Sequence, residues 1–126
     1  MRIVITGGCG FLGRRVALSL LQRRDIDELV LFDNAPSALP LPEDKRIKLL
    51  TGNIADPAAV RTAIAPGTDA VYHLAAVVSG GAEADTDLGY RVNLDGTRAV
   101  LDACRAVGNT PRLVESRCRA HRFRPP

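Results

Sequence analysis

Short, almost continuously apolar runs alternate along this chain with longer segments in which apolar residues recur at helical spacing. Continuous runs of Val, Ile and Leu are typical of parallel strands that are buried on both faces. Asp56 and Pro57 suit the start of a helix, and Gly108 suits the end of one. The pattern predicts strands at residues 2–6, 28–32, 46–51, 70–74 and from 112, and helices at residues 11–23, from 57 and at 87–107.

The alternation of strands and helices determines the predicted fold class. Crossover connections between parallel strands are right-handed, so the pattern predicts an α/β protein with a doubly wound parallel sheet of order 3-2-1-4-5. We find no internal repeat, and the proline-rich residues 35–44 indicate a loop. Residues 1–114 are predicted to form one domain whose sheet is incomplete on its C-terminal side. Residues 115–126 are predicted to be a divergent, Arg-rich, disordered tail.

The amino-acid composition mainly excludes certain classes of protein and of site. With 126 residues, 46% of them hydrophobic and none of them Trp, the chain can bury a single aliphatic core. No apolar stretch approaches the ~20 residues of a membrane span, and the apolar start is too short for a signal peptide. Three cysteines without metal-ligand spacing predict neither a disulfide framework nor a metal site. We therefore expect a cytoplasmic protein without membrane contact.

The basic character of the chain belongs to its tail. The net charge is +3, but residues 1–116 carry thirteen basic and fourteen acidic side chains, and four arginines follow them. An arginine-rich tail can contact nucleic-acid phosphates, yet without a folded platform it is more typical of a solvated end. Cys118 and His121 form at best half of a zinc site. We predict no nucleic-acid partner.

A candidate site lies where the first strand meets the first helix. Glycines recur as Gly7-x-x-Gly10-x-x-Gly13 directly after the apolar run. Such a turn directs backbone N–H groups and the positive end of the helix dipole at one point, where a pyrophosphate is stabilised. Gly7 would permit the sharp exit from the strand, Gly10 a close approach to the phosphates, and Gly13 close packing of the helix.

Asp33 strengthens this interpretation, because it ends the second apolar run twenty residues after Gly13. An acid at this kind of offset hydrogen-bonds the ribose hydroxyls of a bound dinucleotide. The alternative is a local turn with Asn34, which would be the better explanation if Asp33 stood alone. The glycines and Asp33 together predict a dinucleotide-binding site.

Five segments in register carry a resemblance to a known family. They are residues 6–13 (TGGCGFLG), 31–33 (LFD), 52–56 (GNIAD), 71–76 (VYHLAA) and 93–97 (NLDGT). Over about residues 1–114 the chain resembles the extended short-chain dehydrogenases/reductases, the NAD-dependent epimerase/dehydratase family. Residues 75–85 and 90–93 look most like the branch that oxidises sugar acids such as D-erythronate. The resemblance implies a Rossmann-type fold, NAD as cofactor, and a small sugar or sugar acid as substrate.

The resemblance also implies which residues contact the cofactor. In the family an acid usually stands where Asn53 does and meets the adenine amino group, a contact that Asn53 can still make through its carbonyl oxygen. The charge of Asp33 would repel the additional phosphate of NADP, although Arg14 and Arg15 leave that cofactor open. The expected cofactor contacts are Gly7, Gly10, Phe11, Leu12, Gly13, Asp33, Asn53, Ile54, Leu74, Ala75 and Ala76.

Three further residues receive expectations from the resemblance. Ser79 lies in the loop where related sugar-acid dehydrogenases contact substrate, and Asn93 corresponds to an asparagine that braces the active site. On residue type alone, Ser79 suits an ordinary loop and Asn93 an ordinary polar helix position. His73 is expected to be a packed, hydrogen-bonded core residue and not a catalytic one.

The catalytic groups of the family have no counterpart in these 126 residues. Family chemistry requires a tyrosine that acts as general acid/base, a lysine four positions later, and a serine or threonine that orients the substrate. Neither Tyr72 nor Tyr90 is followed by lysine at that spacing. We therefore predict no catalytic residue in this chain, and whether it is an enzyme stays open.

The residues after Val114 depart from the pattern. A charged Glu115 in an expected buried strand conflicts with what precedes it. We expect either that the tail is read out of frame or that the gene is damaged there, and in both cases that the substrate-binding part is missing. One candidate function is the NAD-binding portion of a sugar or sugar-acid oxidoreductase or epimerase, inactive as this chain. The other is a non-catalytic NAD-binding module or sensor. The open sheet edge favours association, with a homodimer as the expected form.

Overall fold

Five parallel strands form one sheet in the computed structural model of the chain, which describes residues 1–37, 39–75, 91–109 and 111–115. The strand order is β3-β2-β1-β4-β5, as the sequence predicts. A short π-helix at Arg91–Asp95 leads directly into the third α-helix. The strands are β1 (Arg2–Thr6), β2 (Glu28–Asp33), β3 (Ile47–Thr51), β4 (Thr68–His73) and β5 (Arg112–Glu115), and the α-helices are α1 (Phe11–Leu20), α2 (Pro57–Ala63) and α3 (Gly96–Ala106).

The strand residues in the middle of the sheet are almost entirely buried. Ile3, Val4 and Ile5 of β1 are at most 1% exposed, because β1 has paired strands on both sides and helices on both faces. The edge strands β3 and β5 are mostly half-buried or exposed. This gradient explains why the continuously apolar runs of the sequence correspond to the inner strands.

Helices cover both faces of the sheet, which makes the fold doubly wound. On one face Val4 and Val30 pack with Val60 of α2 and Val100 of α3. On the other face the alternate strand residues pack with Ala17 and Leu20 of α1. Consecutive side chains of a strand point to opposite faces, so each apolar run supplies both cores.

Helix α1 ends three residues earlier than the sequence predicts. The expected end is residue 23, whereas the helix stops at Leu20. The guanidinium of Arg46 donates to the carbonyl oxygens of Leu21 at 2.8 Å and Arg23 at 3.0 Å, and these bonds hold the chain in a turn after the helix. Because Arg46 comes from the loop before β3, no local pattern in residues 11–23 indicates where helix α1 ends.

The remaining element boundaries lie within two residues of the predicted ones, except at the long helix predicted over residues 87–107. Strand β4 begins at Thr68 instead of residue 70, and Asp56 is the N-cap of α2 as predicted, accepting the N–H of Ala58 at 3.1 Å. The predicted helix over residues 87–107 is a π-helix over Arg91–Asp95 followed by α3. Residues 87–90 lie outside the described residues.

Glu115 does not meet the expected buried environment. It ends β5, pairs in register with His73 of β4, and is exposed to solvent. Among the described residues β5 has a paired strand on one side only, and Glu115 is exposed there, so its charge carries no burial penalty. The change of composition at this position therefore does not conflict with the strand.

The helices over residues 1–37, 39–75, 91–109 and 111–115 are short. Within those ranges none is long and apolar enough to cross a membrane.

Candidate functional site

The turn between β1 and α1 is built around backbone contacts that only glycine permits. Gly7 has φ of +68°, and a Cβ there would lie 2.9 Å from the backbone nitrogen of Ala75. The N–H of Gly10 donates to the carbonyl oxygen of Gly7 at 3.2 Å and closes the turn. The turn therefore packs directly against the segment that leaves β4.

Gly13 allows helix α1 to approach this turn. A Cβ at Gly13 would lie 2.2 Å from the carbonyl oxygen of Gly7 and 2.7 Å from Cα of Gly8. A Cβ at Gly10 would meet only the carbonyl oxygen of Gly7, at 3.4 Å. Gly13 is therefore required for packing, as the sequence predicts, whereas Gly10 keeps an open surface at the start of the helix.

Gly8 is a fourth essential glycine to which the sequence assigned no role. It is buried, and a Cβ there would lie 2.8 Å from Cβ of Leu31 and 2.9 Å from the carbonyl oxygen of Ile5. Its N–H donates to the carbonyl oxygen of Phe32 at 3.2 Å and so extends the pairing of β1 with β2. Its place directly after a glycine at the end of a buried strand is the only sequence signal for this role.

The first turn of α1 presents its backbone N–H groups without a side-chain cap. Gly10 is the N-cap residue and has no side chain to donate or accept. Phe11 is 69% exposed and Leu12 49% exposed, an unusual position for two apolar side chains at a helix N-terminus. The positive end of the helix dipole and the free N–H groups suit the phosphate group of a ligand.

Asp33 is tied to the glycine turn by a hydrogen bond across two strands. Its Oδ2 accepts the N–H of Cys9 at 3.0 Å, and its Oδ1 accepts the N–H of Asn34 at 2.8 Å. The local bond with Asn34 is therefore present, but the carboxylate also fixes the turn. Burial, with a smaller contribution from the charge of Asp33, raises the pKa of the Cys9 thiol.

Asn53 stands next to Asp33 at the carboxyl edge of the sheet. The N–H of Gly52 donates to the carbonyl oxygen of Asp33 at 2.9 Å, which brings the ends of β2 and β3 together. The side-chain Oδ1 of Asn53 accepts the N–H of Ala55 at 2.9 Å. The neighbouring Ile54 is 7% exposed and packs beneath Gly96 of α3, so its side chain belongs to the core.

A buried hydrogen-bond network connects β1, β4 and α3 below the glycine turn. Thr6 Oγ1 lies 2.7 Å from His73 Nδ1 and accepts the N–H groups of Leu74 at 3.1 Å and Ala75 at 3.2 Å. His73 Nε2 lies 3.1 Å from Thr97 Oγ1. His73 is thus a buried, hydrogen-bonded core residue, as predicted from the sequence.

The donors in this network fix the tautomer of His73. Thr97 Oγ1 donates its proton to the carbonyl oxygen of Asn93 at 2.8 Å, so it can only accept from His73 Nε2. Thr6 Oγ1 already accepts two N–H groups, so its own proton is directed at Nδ1, an arrangement that suits a neutral His73 with its proton on Nε2. Burial lowers the pKa of His73, opposed in part by the charge of Glu115.

The predicted site residues divide into three groups. The glycine turn, the start of α1, Asp33, Asn53, Leu74 and Ala75 all lie at the carboxyl ends of β1 to β4. Asn93 lies in the π-helix, where its carbonyl oxygen joins the network of Thr97. Ala76 and Ser79 lie outside the described residues. Within the described ranges, no group of His, Cys, Asp and Glu side chains has the arrangement of a metal site.

The profile of the NAD dependent epimerase/dehydratase family matches residues 3–120. The chain belongs to the NAD-dependent epimerase/dehydratase family. This confirms the resemblance seen in the sequence, and NAD is the cofactor of the family. The matched region extends past Glu115 into the residues where the sequence pattern changes.

Two similar relatives are D-erythronate dehydrogenases. The protein from Cupriavidus necator is 49% identical, over 90% of this chain and 37% of its own length. The protein from Haemophilus influenzae is 43% identical, over 90% of this chain and 36% of its own length. The chain thus spans little more than a third of the relatives it matches.

Solved structures agree with the fold. A nucleoside-diphosphate-sugar epimerase from Agrobacterium tumefaciens has a TM-score of 0.79 and 31% identity, over 91% of this chain and 36% of that one. A mutant of uronate dehydrogenase from the same organism, complexed with NAD, has a TM-score of 0.72 and 26% identity, over 91% of this chain and 40% of that one. Both neighbours support the Rossmann-type topology.

The residues present fit NAD on their own geometry. Gly10 leaves space at the N-terminus of α1, where a pyrophosphate would be held by backbone N–H groups. Asp33 has one accepted hydrogen bond on each carboxylate oxygen, and each oxygen keeps a further acceptor site for a ribose hydroxyl.

Proposed function

We propose that this chain binds NAD across the carboxyl ends of β1, β2 and β3, as the nucleotide-binding portion of a sugar-acid oxidoreductase. The observation that carries the proposal is the 3.0 Å bond between the N–H of Cys9 and the carboxylate of Asp33. This bond fixes a negative charge beside the uncapped start of α1. One end of the site suits phosphate and the other suits ribose hydroxyls, which is the polarity of a dinucleotide.

The surroundings of Asp33 favour NAD over NADP. A carboxylate repels the additional phosphate of NADP on the adenosine ribose. The two arginines that could compensate make their printed contacts with groups other than Asp33: Arg14 Nε donates to the carbonyl oxygen of Pro40 at 3.0 Å, and Arg15 lies 5.6 Å from the ring centroid of Phe11.

The proposed substrate class of the whole protein is a sugar acid. The relatives named D-erythronate dehydrogenase, at 49% and 43% identity, and the neighbour named uronate dehydrogenase support this class. In such an oxidation NAD supplies the hydride acceptor. The residues described above hold and orient the dinucleotide, and Ser79 is the proposed substrate contact.

We propose that the 126-residue chain itself does not turn over a sugar acid. Its two tyrosines, Tyr72 and Tyr90, lack a lysine four positions later. Without that pair the bound dinucleotide has no general acid/base beside it. The same observation supports the second candidate, a non-catalytic NAD-binding module or sensor.

Two further expectations form part of the proposal. Val114 is 44% exposed on β5, and an apolar side chain at the surface supports association into a homodimer. Cys9 and Cys104 are free thiols, which supports a reducing compartment, the cytoplasm.

A calorimetric titration with NAD and NADP, followed by a turnover assay with NAD and D-erythronate, tests these statements. We expect saturable binding of NAD, at least tenfold weaker binding of NADP, and no NADH formation, where tenfold corresponds to about 1.4 kcal/mol. NADH formation by this chain would refute the proposed inactivity, and tighter binding of NADP would refute the assignment of the cofactor.

A further inference from the structure

The buried network around Thr6 and His73 has no place for an additional proton. Thr6 Oγ1 accepts the N–H groups of Leu74 at 3.1 Å and Ala75 at 3.2 Å, which occupies both of its lone pairs. Its own proton is directed at His73 Nδ1, 2.7 Å away. On the other side of the ring, Nε2 donates to Thr97 Oγ1 at 3.1 Å. The network is therefore complete only while Nδ1 carries no proton.

A second proton on the ring of His73 would displace one of the backbone donors. Nδ1 would become a donor facing an oxygen whose lone pairs are both occupied. The N–H of Leu74 also has the backbone carbonyl oxygen of Thr6, at 3.1 Å. Among the described residues, the N–H of Ala75 has Thr6 Oγ1 as its one acceptor. Ala75 is therefore the residue that protonation of His73 would release.

The backbone of Ala75 is the surface against which the glycine turn packs. A Cβ at Gly7 would lie 2.9 Å from the backbone nitrogen of Ala75 and 3.1 Å from its Cα. The N–H of Gly10 donates to the carbonyl oxygen of Gly7 at 3.2 Å, and Gly10 is the N-cap of α1, where the proposed pyrophosphate site begins. A movement of Ala75 therefore reaches the pyrophosphate site through the backbone of the turn.

We propose that Thr6 and His73 position the NAD site and make it sensitive to pH: NAD binds while His73 is neutral, and a proton taken up from solvent at Nδ1 weakens binding. This inference rests on the proposed function. Thr6 is 1% exposed and His73 7% exposed, so both act through Ala75 and the turn and not by touching the dinucleotide. By linkage, bound NAD lowers the affinity of His73 for the proton by the same factor.

The charged groups around His73 determine where this response lies on the pH scale. From β1 and α3 the ring faces two uncharged threonine hydroxyls. From β5 the carboxylate of Glu115 pairs in register with His73, and its charge opposes the burial that lowers the pKa of the ring. Asp95 of the π-helix is half-buried, and Arg98 of α3 is exposed to solvent. Burial is the larger effect, so the response lies below about pH 6.5, the ordinary pKa of histidine.

The test follows NAD affinity by calorimetry from about pH 7.5 to about pH 5, and the ring signal of His73 by NMR with and without NAD. His73→Asn identifies that signal, because the chain has one other histidine, His121. We expect affinity to fall at least about fivefold across this range, and the pKa of His73 to be lower when NAD is bound. His73→Asn should lose the pH dependence of NAD affinity.

Two carboxylate variants test whether the response belongs to His73. Glu115→Gln removes the charge that raises the pKa of His73, so the fall in NAD affinity should move to lower pH. Asp102→Asn removes the same charge from an exposed position of α3 outside the network, and the pH response should stay where it is.

A folded chain whose NAD affinity stays constant while His73 takes up its proton would refute the inference and leave the proposed function intact. The same holds if His73→Asn keeps the full pH response, or if NAD does not change the pKa of His73. It also holds if the chain unfolds, or reaches about pH 5, before His73 is protonated. A folded chain that binds no NAD at about pH 7.5 would refute the proposed function, and this inference with it. Circular dichroism at each pH establishes that the chains are folded.

Discussion

The hydroxyl of Thr6 lies 2.7 Å from Nδ1 of the buried His73, and the two residues are 67 positions apart in the chain. The same oxygen accepts the N–H groups of Leu74 and Ala75, whose backbone contacts the glycine turn. One threonine hydroxyl therefore bonds a ring nitrogen of the buried His73 and two half-buried N–H groups, at the point where the strands end and the site begins. The position of the segment after β4 depends on this oxygen.

Replacing Thr6 with Val should destabilise the chain strongly at almost constant volume. The change leaves the N–H of Ala75 and one ring nitrogen of His73 without this partner, whereas the N–H of Leu74 keeps the backbone carbonyl oxygen of Thr6 at 3.1 Å. We expect a cost of about 3 kcal/mol in the free energy of unfolding. Urea denaturation measures the loss. Thr6→Ser keeps the oxygen and should lose less. Thr62→Val, at an exposed hydroxyl of α2, is the matched control, and an equal loss there would contradict this account.

The stability of the chain should fall as the pH drops below about 6.5, the ordinary pKa of histidine. Burial lowers the pKa of His73 in the folded state, so the unfolded state binds the proton first, and stability rises with pH in the window between the two values. Denaturation midpoints measured from about pH 7.5 to about pH 5 bracket the ordinary pKa of histidine and give the slope of stability against pH. His73→Asn should abolish this slope, and an unchanged slope would assign the effect to another group.

A second loss of stability should follow in more acid solution. The guanidinium of Arg46 lowers the pKa of Asp44 to about 2. The stability that this pair contributes is present above the ordinary pKa of aspartate, near 3.9, and is lost as the pH falls toward 2. Asp44→Asn should remove that part of the acid transition. Asp102→Asn, at an exposed position of α3, is the control.

The glycines of the turn should divide into structural and ligand-facing positions. Gly13→Ala places a methyl group 2.2 Å from the carbonyl oxygen of Gly7, and we expect it to cost at least ~3 kcal/mol of stability. Gly10→Ala meets only one atom, at 3.4 Å, and should keep its melting temperature while NAD affinity falls. Thermal melts and NAD titrations of both variants test this. A Gly10→Ala chain that binds NAD normally would contradict the position assigned to the pyrophosphate.

Asp33→Asn should change the choice between NAD and NADP. The variant keeps an oxygen that can accept the N–H of Cys9, so the turn is retained, but the negative charge is lost. We expect NAD affinity to fall and the ratio of NADP to NAD affinity to rise by about tenfold or more. Competition titrations measure the ratio. A loss of both affinities in equal proportion would mean that Asp33 acts only through the turn.

The sequence predicted the central part of the fold because its signals are local. Strand β1 has the predicted bounds, since the apolar run is interrupted by Gly7 and Gly8. The strand order follows from the alternation of elements. The end of α1 was missed because Arg46, more than twenty residues away, determines it. Glu115 was expected to be buried because β5 was assigned to the inner part of the sheet, whereas within the described residues Glu115 is exposed.

The sequence predicted where the candidate site residues lie along the sheet edge but not their hydrogen bonds. The spacing of the glycines and Asp33 indicated a dinucleotide, and these residues do lie at one edge of the sheet. The bonds from Cys9 to Asp33 and from Ala55 to Asn53 depend on the conformation that the loops adopt once the strands have paired. The packing role of Gly8 depends on Leu31 in the neighbouring strand. Such contacts require the register of the sheet, which the sequence pattern does not contain.

The central claim is that NAD lies along the ends of β1, β2 and β3. An NMR titration of the ¹⁵N-labelled chain with NAD tests it most directly, because every backbone N–H reports separately. The account predicts saturable shifts at Gly10, Phe11, Asp33 and Asn53, with little change at Leu101 and Leu113 on the far side of α3 and β5. A folded chain whose shifts do not respond to NAD, or respond mainly at Leu101 and Leu113, would contradict it.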